Sequence, residues 1–159
     1  MEEIEVAKEL AKGLLERMGV KAEVEGFLKE GNLYLELRGD QEGILIGKHG
    51  RTLEALQMLV NRMVNKRLKN AMRVALDVDD YRKRRAESMV QMALRLGDEA
   101  KKTGRSQVAG LLNAHDRRIV HLTLKEDPFL ETESIGEGEL KRVKIIPLKN
   151  RDNPLKQFE

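Results

Sequence analysis

Apolar side chains recur at helical spacing from Ile4 to Met18. Ile4, Ala7, Leu10, Ala11, Leu14, Leu15 and Met18 share a face, and Gly19 is placed to end the helix in a left-handed cap. The period then shortens to two. Val20, Ala22 and Val24 alternate in a segment reaching Leu28, and Leu33, Leu35 and Leu37 alternate after Glu30-Gly31-Asn32, which predicts a hairpin with a short turn. Asp40 is positioned to cap a short helix through Ile46, and a glycine-bracketed loop follows. A longer helix is predicted from about Arg51 to Leu68, with Leu53, Leu56, Val60, Met63 and Val64 inward. Val74, Leu76 and Val78 alternate as a third strand, giving the order α-β-β-α-α-β up to Asp79.

A second pattern begins at Asp80. The spacing predicts a helix from Tyr81 to about Lys102, with Ala86, Met89, Ala93, Leu96 and Ala100 as its buried stripe and Gly104 as its stop. Gln107 to Leu112 predicts a short strand. Asn113 is a candidate N-cap, with Asp116 in a capping arrangement, for a helix that must end before Pro128. Strands near Leu130 to Ile135 and Val143 to Leu148 flank Gly136-Glu137-Gly138-Glu139 as a hairpin. Lys149 to Glu159 has no apolar period and is expected to be a flexible tail. The expectation is an α+β chain of two abutting domains, 1–79 and 80–148.

Charge is distributed unevenly along this frame. Residues 1–40 carry six Lys/Arg against ten Asp/Glu, residues 41–85 carry eleven against five, and residues 86–159 carry thirteen against twelve, within a net charge of only +3. The basic excess coincides with the glycine-bracketed loop and the segment after it, a local field that attracts polyanions. Most of the 36% charged residues are otherwise accounted for as a solvated surface. The chain has no cysteine, and its three histidines lack ligand spacing, so neither metal nor cofactor is expected. It opens without a basic-then-apolar leader and has no bilayer-length apolar run, so a cytoplasmic location without membrane insertion is expected.

The candidate chemistry centres on Gly43-Ile44-Leu45-Ile46-Gly47-Lys48-His49-Gly50-Arg51-Thr52. Glycines on both sides of Lys48 and His49 allow a sharp turn beside a cation at the start of a helix, a place suited to phosphate. A nucleotide-hydrolysing P-loop is excluded by spacing. That motif needs four residues between its first Gly and Gly-Lys, then Ser or Thr for magnesium, whereas three separate Gly43 from Gly47 and His49 occupies the hydroxyl position.

Gly47-Lys48-His49-Gly50 between two helices, with strands before and after, resembles the G-x-x-G loop of a type II KH domain, which clamps single-stranded nucleic-acid backbone. Ile44 through Leu53 follows that family's pattern without interruption. Lys48 and Arg51 supply charge, and the helix after Gly50 is expected to offer free N–H groups and a favourable dipole. Ile44 and Ile46 are candidate floor for bases. The low aromatic content, 3%, argues against an aromatic stacking platform.

Arg117 and His121 lie four apart and share a helix face, with Arg118 beside them. Asn113-Ala114-His115-Asp116-Arg117-Arg118-Ile119-Val120-His121-Leu122, followed by Glu131-Thr132-Glu133-Ser134 and Gly136-Glu137-Gly138, resembles the single-stranded nucleic-acid-binding domain named for its Arg-x-x-x-His signature. That resemblance implies a small α/β domain with a three-stranded sheet. His115 stands where an aromatic residue is usual in it.

A KH domain followed directly by an Arg-x-x-x-His domain resembles the bacterial Jag, or SpoIIIJ-associated, family. The resemblance implies a non-catalytic binder of single-stranded RNA, with single-stranded DNA as a related ligand. The implied role is that of a cytoplasmic RNA chaperone or post-transcriptional regulator linked to cell elongation, cell-wall synthesis or sporulation. It also implies a second small KH protein as partner. Many family members carry a further N-terminal Jag domain, whereas this chain starts at the KH helix. The competing expectation is a protein-interaction module, pairing with another KH protein or a ribosomal factor, for which RNA is incidental. A ribonuclease using His115 and His121 is disfavoured, since residues six apart point about 240° away from each other around a helix.

One motif remains. Arg82-Lys83-Arg84-Arg85 places four cations in the first turn of a helix, against its dipole, with Asp77, Asp79 and Asp80 near enough to offset part of the cost. It reads either as a solvated face with local ion pairs or as a phosphate path between the two sites.

Overall fold

The computed structural model describes residues 1–40 and 43–148. They fall into two units, Met1–Arg82 and the chain from Lys83 onward. The tail expected at 149–159 lies outside the described residues.

In the first unit α1 (Glu2–Arg17) ends as its sequence predicts. Gly19 takes φ +72°, and the N–H groups of Gly19 and Val20 return to the carbonyls of Glu16 and Leu15, both at 3.0 Å. This double closure satisfies carbonyls that the helix end leaves open. β1 (Glu23–Lys29) and β2 (Asn32–Arg38) form an antiparallel hairpin, and β3 (Val74–Val78) runs parallel to β2. The sheet order is β1-β2-β3. The hairpin turn uses Glu30 and Gly31, both at positive φ, the geometry whose twist suits a two-residue connection.

α2 (Arg51–Leu68) makes the crossover from β2 to β3 and lies with α1 on one face of the sheet. Ala7, Ala11 and Leu15 pack with Leu53, Leu56, Val60 and Val64 over Leu33, Leu35, Leu37, Val74, Leu76 and Val78. Met63, expected inward, is only half-buried. α2 also covers the outer edge of β3, because the side-chain oxygens of Gln57 and Asn61 accept the strand N–H groups of Leu76 and Val74, each at 2.9 Å. A paired edge does not recruit another strand.

The short helix expected from Asp40 through Ile46 is a single turn in the described residues. Gly47 N–H reaches Gly43 O at 3.0 Å, and Asp40 Oδ2 accepts from Leu45 and Ile46 at 3.0 and 3.3 Å. Gly43 and Gly47 both adopt positive φ, so too few consecutive helical residues remain to nucleate a helix.

α3 (Tyr81–Thr103) starts within the first unit and continues into the second, where β4 (Gln107–Leu112), α4 (Ala114–Leu124), β5 (Leu130–Ile135) and β6 (Lys141–Pro147) follow. The second sheet is antiparallel with order β4-β6-β5. Its core joins Met89, Ala93 and Ala100 of α3 to Val120 and Leu124 of α4 and to Val143 and Ile145 of β6. Gly97 permits close packing there, since a Cβ at this position would stand 2.9 Å from Leu130 Cδ1 and 3.1 Å from Leu124 Cδ2. The architecture is α+β, with one three-stranded sheet in each unit.

Candidate nucleic-acid interface

The loop from Gly47 to Gly50 is built by its glycines. Gly47 adopts φ 70°, ψ −176°, and a Cβ there would collide with Thr52 Oγ1, so no other residue fits without displacing the start of α2. Gly50, at φ 75°, is buried under the ring of Tyr81, whose Cε1 would stand 3.0 Å from an added Cβ. His49 between them is also left-handed, at φ 57°. Lys48 and Arg51 are exposed at the lip of this turn.

One expectation is corrected here. The N–H groups at the start of α2 are not open to a ligand. Gly50 donates to Gly47 O at 3.3 Å, Arg51 to Lys48 O, and both Thr52 and Leu53 to Ile46 O at 3.1 and 3.2 Å. The turn of backbone at Gly47 places the Ile46 carbonyl over the helix start and consumes the donors. What the loop retains for an anion is the Lys48 charge, the close approach its glycines permit and the positive end of the α2 dipole.

The aliphatic residues divide. Ile44 is 44% exposed, Leu45 is fully buried, and Ile46 is half-buried against the core. Sequence reasoning missed Met58 and Leu59, which are 54% and 45% exposed. Arg51, Ala55, Met58, Leu59 and Arg62 recur at helical spacing along one face of α2, making an apolar strip with a cation at each end that continues from the loop. The signal was legible, since Met58 and Leu59 fall outside the stripe of Leu53, Leu56, Val60 and Val64.

In the second unit Asn113 caps α4 by accepting from Asp116 N–H at 2.8 Å. The Asp116 carboxylate does not return the capping bond. It is buried, and Oδ2 accepts from Arg85 Nε and Nη2. Arg117 directs Nη1 to two carbonyls, Leu112 O at 2.7 Å and Glu139 O at 3.0 Å, tying the end of β4 to the β5–β6 loop. His121 lies against β5, with Nδ1 2.7 Å from Thr132 Oγ1 and Nε2 2.9 Å from Ser134 Oγ. The signature pair therefore shares a face, as its spacing predicts, and that face is turned toward the hairpin. Among the described residues Nη2 and Nε of Arg117 have no protein partner, and Arg118 is exposed.

The four cations of α3 separate. Arg82 bonds Leu76 O through Nε and Nη2, both at 3.3 Å, and Gln57 Oε1 through Nη2 at 3.1 Å, while its N–H is capped by Asp77 Oδ1. Arg85 is committed to Asp116. Lys83 and Arg84 are exposed.

Among the described residues no helix is long and apolar enough to cross a membrane, and no cluster of three or more His, Asp or Glu is arranged to hold a metal ion.

A mixed three-stranded sheet carrying a G-x-x-G loop, followed by an antiparallel three-stranded sheet with Arg117 and His121 on its helix, defines a protein in which a KH domain precedes an Arg-x-x-x-His domain. Residues 4–78 match the family described as KhpA/KhpB, KH domain, and residues 87–147 match the domain family named for the Arg-x-x-x-His signature. The chain is similar to proteins named RNA-binding protein KhpB in three bacteria. Identity is 41% over 136 residues in Clostridium symbiosum, 34% over 125 in Lactiplantibacillus plantarum and 30% over 144 in Bacillus subtilis. These alignments cover 86%, 77% and 89% of this chain and 60%, 38% and 69% of the respective relatives, so the chain spans less than two thirds of the length of the first two. The chain belongs to the KhpB family, also called Jag.

Proposed function

We propose that the chain binds single-stranded RNA without catalysing a reaction on it. The observation that supports this reading is the Gly47–Gly50 turn, whose two glycines, at positive φ and closed against Thr52 and Tyr81, leave the backbone open to close approach beside the exposed Lys48 cation. Phosphates are held at Lys48, His49 and Arg51, and bases lie over Ile44 and the Met58–Leu59 strip. Arg117, through its remaining donors, and Arg118 add a second contact region, with His121 holding that helix face against β5. Single-stranded DNA is a related ligand for the same surfaces. The names of the relatives support the ligand class. A cytoplasmic role as an RNA chaperone or post-transcriptional regulator in cell elongation, cell-wall synthesis or sporulation, alongside a second small KH protein, is the cellular reading that follows.

The test is electrophoretic mobility of a single-stranded RNA with Lys48→Asp plus His49→Asp at two salt concentrations. Affinity should fall at least about tenfold, since two attractive contacts become repulsive, with an unchanged melting temperature. Undiminished affinity sinks the clamp and favours the protein-interaction reading.

A further inference from the structure

Gln57, Asn61 and Asn65 recur four residues apart on α2, along the flank that reaches the outer edge of β3. The strand settles how two of these amides point. Leu76 N–H and Val74 N–H are donors, so each must meet a side-chain oxygen, Gln57 Oε1 and Asn61 Oδ1, both at 2.9 Å. The opposite orientation sets donor against donor. Each oxygen also takes a second donor, Arg82 Nη2 at 3.1 Å on Gln57 and Asn65 Nδ2 at 3.5 Å on Asn61. The carbonyl ends are occupied.

The nitrogen ends are not. Among the described residues neither Gln57 Nε2 nor Asn61 Nδ2 has a protein partner, and neither is buried, since the buried side-chain polar atom left without a partner is Asn65 Oδ1. Two amides therefore hold their donors outward. Asn61 lies three residues from Met58, which is 54% exposed, so a base resting on Met58 brings its edge to the Asn61 nitrogen. Gln57 stands one turn nearer the glycine loop, about 6 Å along the helix, where a neighbouring nucleotide meets it.

We propose that Gln57 and Asn61 select the bases laid over α2, and that as donors only they favour the keto bases uracil and guanine over the amino bases cytosine and adenine. This rests on the reading of the glycine loop and α2 as the RNA surface. Uracil and guanine carry a carbonyl oxygen, O4 or O6, where cytosine and adenine carry an NH2 group. An amide that offers only N–H bonds the oxygen and opposes the amine. The paired donor and acceptor contact by which Asn or Gln ordinarily reads adenine needs the amide oxygen, which here belongs to β3. Rotating either amide to free that oxygen strands an N–H of Val74 or Leu76, both buried residues, and the orientation is therefore kept.

Fluorescence anisotropy of the whole chain with oligouridylate and oligocytidylate of equal length tests this at neutral pH. The two share charge and ring size, so the ratio of affinities isolates the base edge. Wild type should prefer oligouridylate about fivefold or more, the worth of one net hydrogen bond. Gln57→Glu with Asn61→Asp keeps an oxygen on each strand N–H and on Arg82 but replaces each outward NH2 by an oxygen. The ratio should then turn over toward oligocytidylate, while both affinities fall with the added negative charge. A role confined to holding β3 leaves the ratio where it was. Circular dichroism melts establish that the variant is folded, and Asn61→Asp alone should move the ratio part of the way. Lys48→Asp with His49→Asp should weaken both oligonucleotides by the same factor. Equal affinities in the wild type, or a ratio that the carboxylates do not move, overturn the proposal and leave RNA binding standing. A wild type that binds neither oligonucleotide overturns the RNA-binding reading and the proposal together.

Discussion

Arg85 grips one carboxylate oxygen of Asp116 through two donors, Nε at 3.0 Å and Nη2 at 2.8 Å, and fastens α3 to α4. The acid is the charged residue that the second unit buries among its described residues, with a side chain 2% exposed against 27% for Arg85. Removing the arginine strands a buried anion. Arg85→Ala is expected to cost about 3 kcal/mol, the low end of the range for breaking a buried pair because Arg85 is partly exposed, as read by urea denaturation. Arg85→Lys should recover less than half, because an ammonium does not reproduce the two-donor fork.

This placement changes what the cation run of α3 offers to RNA. Arg82 and Arg85 are occupied within their own units, which leaves exposed Lys83 as the clearest candidate for phosphate. Lys83→Ala should lower the slope of log affinity against log salt by about one, without shifting the melting temperature. An unchanged slope removes the run from the binding surface.

The two loop glycines should respond unequally. Both have positive φ, which costs a non-glycine residue about 1–3 kcal/mol. Gly47→Ala adds a clash with Thr52 and should lower stability and RNA affinity together. Gly50→Ala meets the Tyr81 ring at the looser 3.0 Å and should cost less. A thermal melt beside a binding isotherm separates the two, and equal losses would mean that the Thr52 contact is relieved cheaply.

Lys101 and Asp127 join α3 to the loop before β5, with Nζ 2.7 Å from Oδ2. Burial pushes the Asp127 carboxyl up, but the Lys101 hydrogen bond, the Phe129 N–H and the Lys101 charge outweigh it and hold the group below the ordinary 3.8. Its hydrogen bond to Asp127 raises the Lys101 ammonium above the ordinary 10.5 despite burial. The acid's contribution is therefore present above pH 3.8 and lost as pH falls through the lower native value. The lysine's contribution is lost only as pH rises through its own raised value. Lys101→Met should cost about 1–2 kcal/mol at neutral pH, and the deficit should shrink in acid.

Glu36 shifts the other way. Burial, with the charges of Asp77 and Asp80, pushes its carboxyl above the ordinary 4.5, although the Asp80 N–H and Arg38 oppose this. The native state then holds the proton more tightly than the unfolded chain, so stability falls as pH rises from 4.5 through the native value. Glu36→Gln, whose amide oxygen still accepts from Asp80 N–H, should melt higher than wild type at neutral pH. That gain should vanish in acid.

The helices and strands were readable because their signals are local. The stripe of α2, the alternation of Leu33, Leu35 and Leu37, and the Gly19 cap each depend on residues within a few positions of one another. The Asp40–Ile46 segment misled for a local reason as well, since its glycines admit either a helix end or a turn and only the described geometry chooses the turn. The G-x-x-G loop was legible as a glycine turn with a cation at its lip. Its consumed N–H groups were not, because they follow from the direction in which Gly47 turns the Ile46 carbonyl.

By itself the sequence determined two α+β units, their element order, the glycine turn with its cation, and the shared face of Arg117 and His121. Tertiary structure alone decided what the long side chains do. It turned Arg117 to carbonyls, His121 to two hydroxyls, and Arg85 to an acid 31 residues away. Periodicity fixes which face a residue occupies. A flexible charged side chain finds its partner only after the chain has brought distant elements together, and burial then makes leaving that partner unpaired costly.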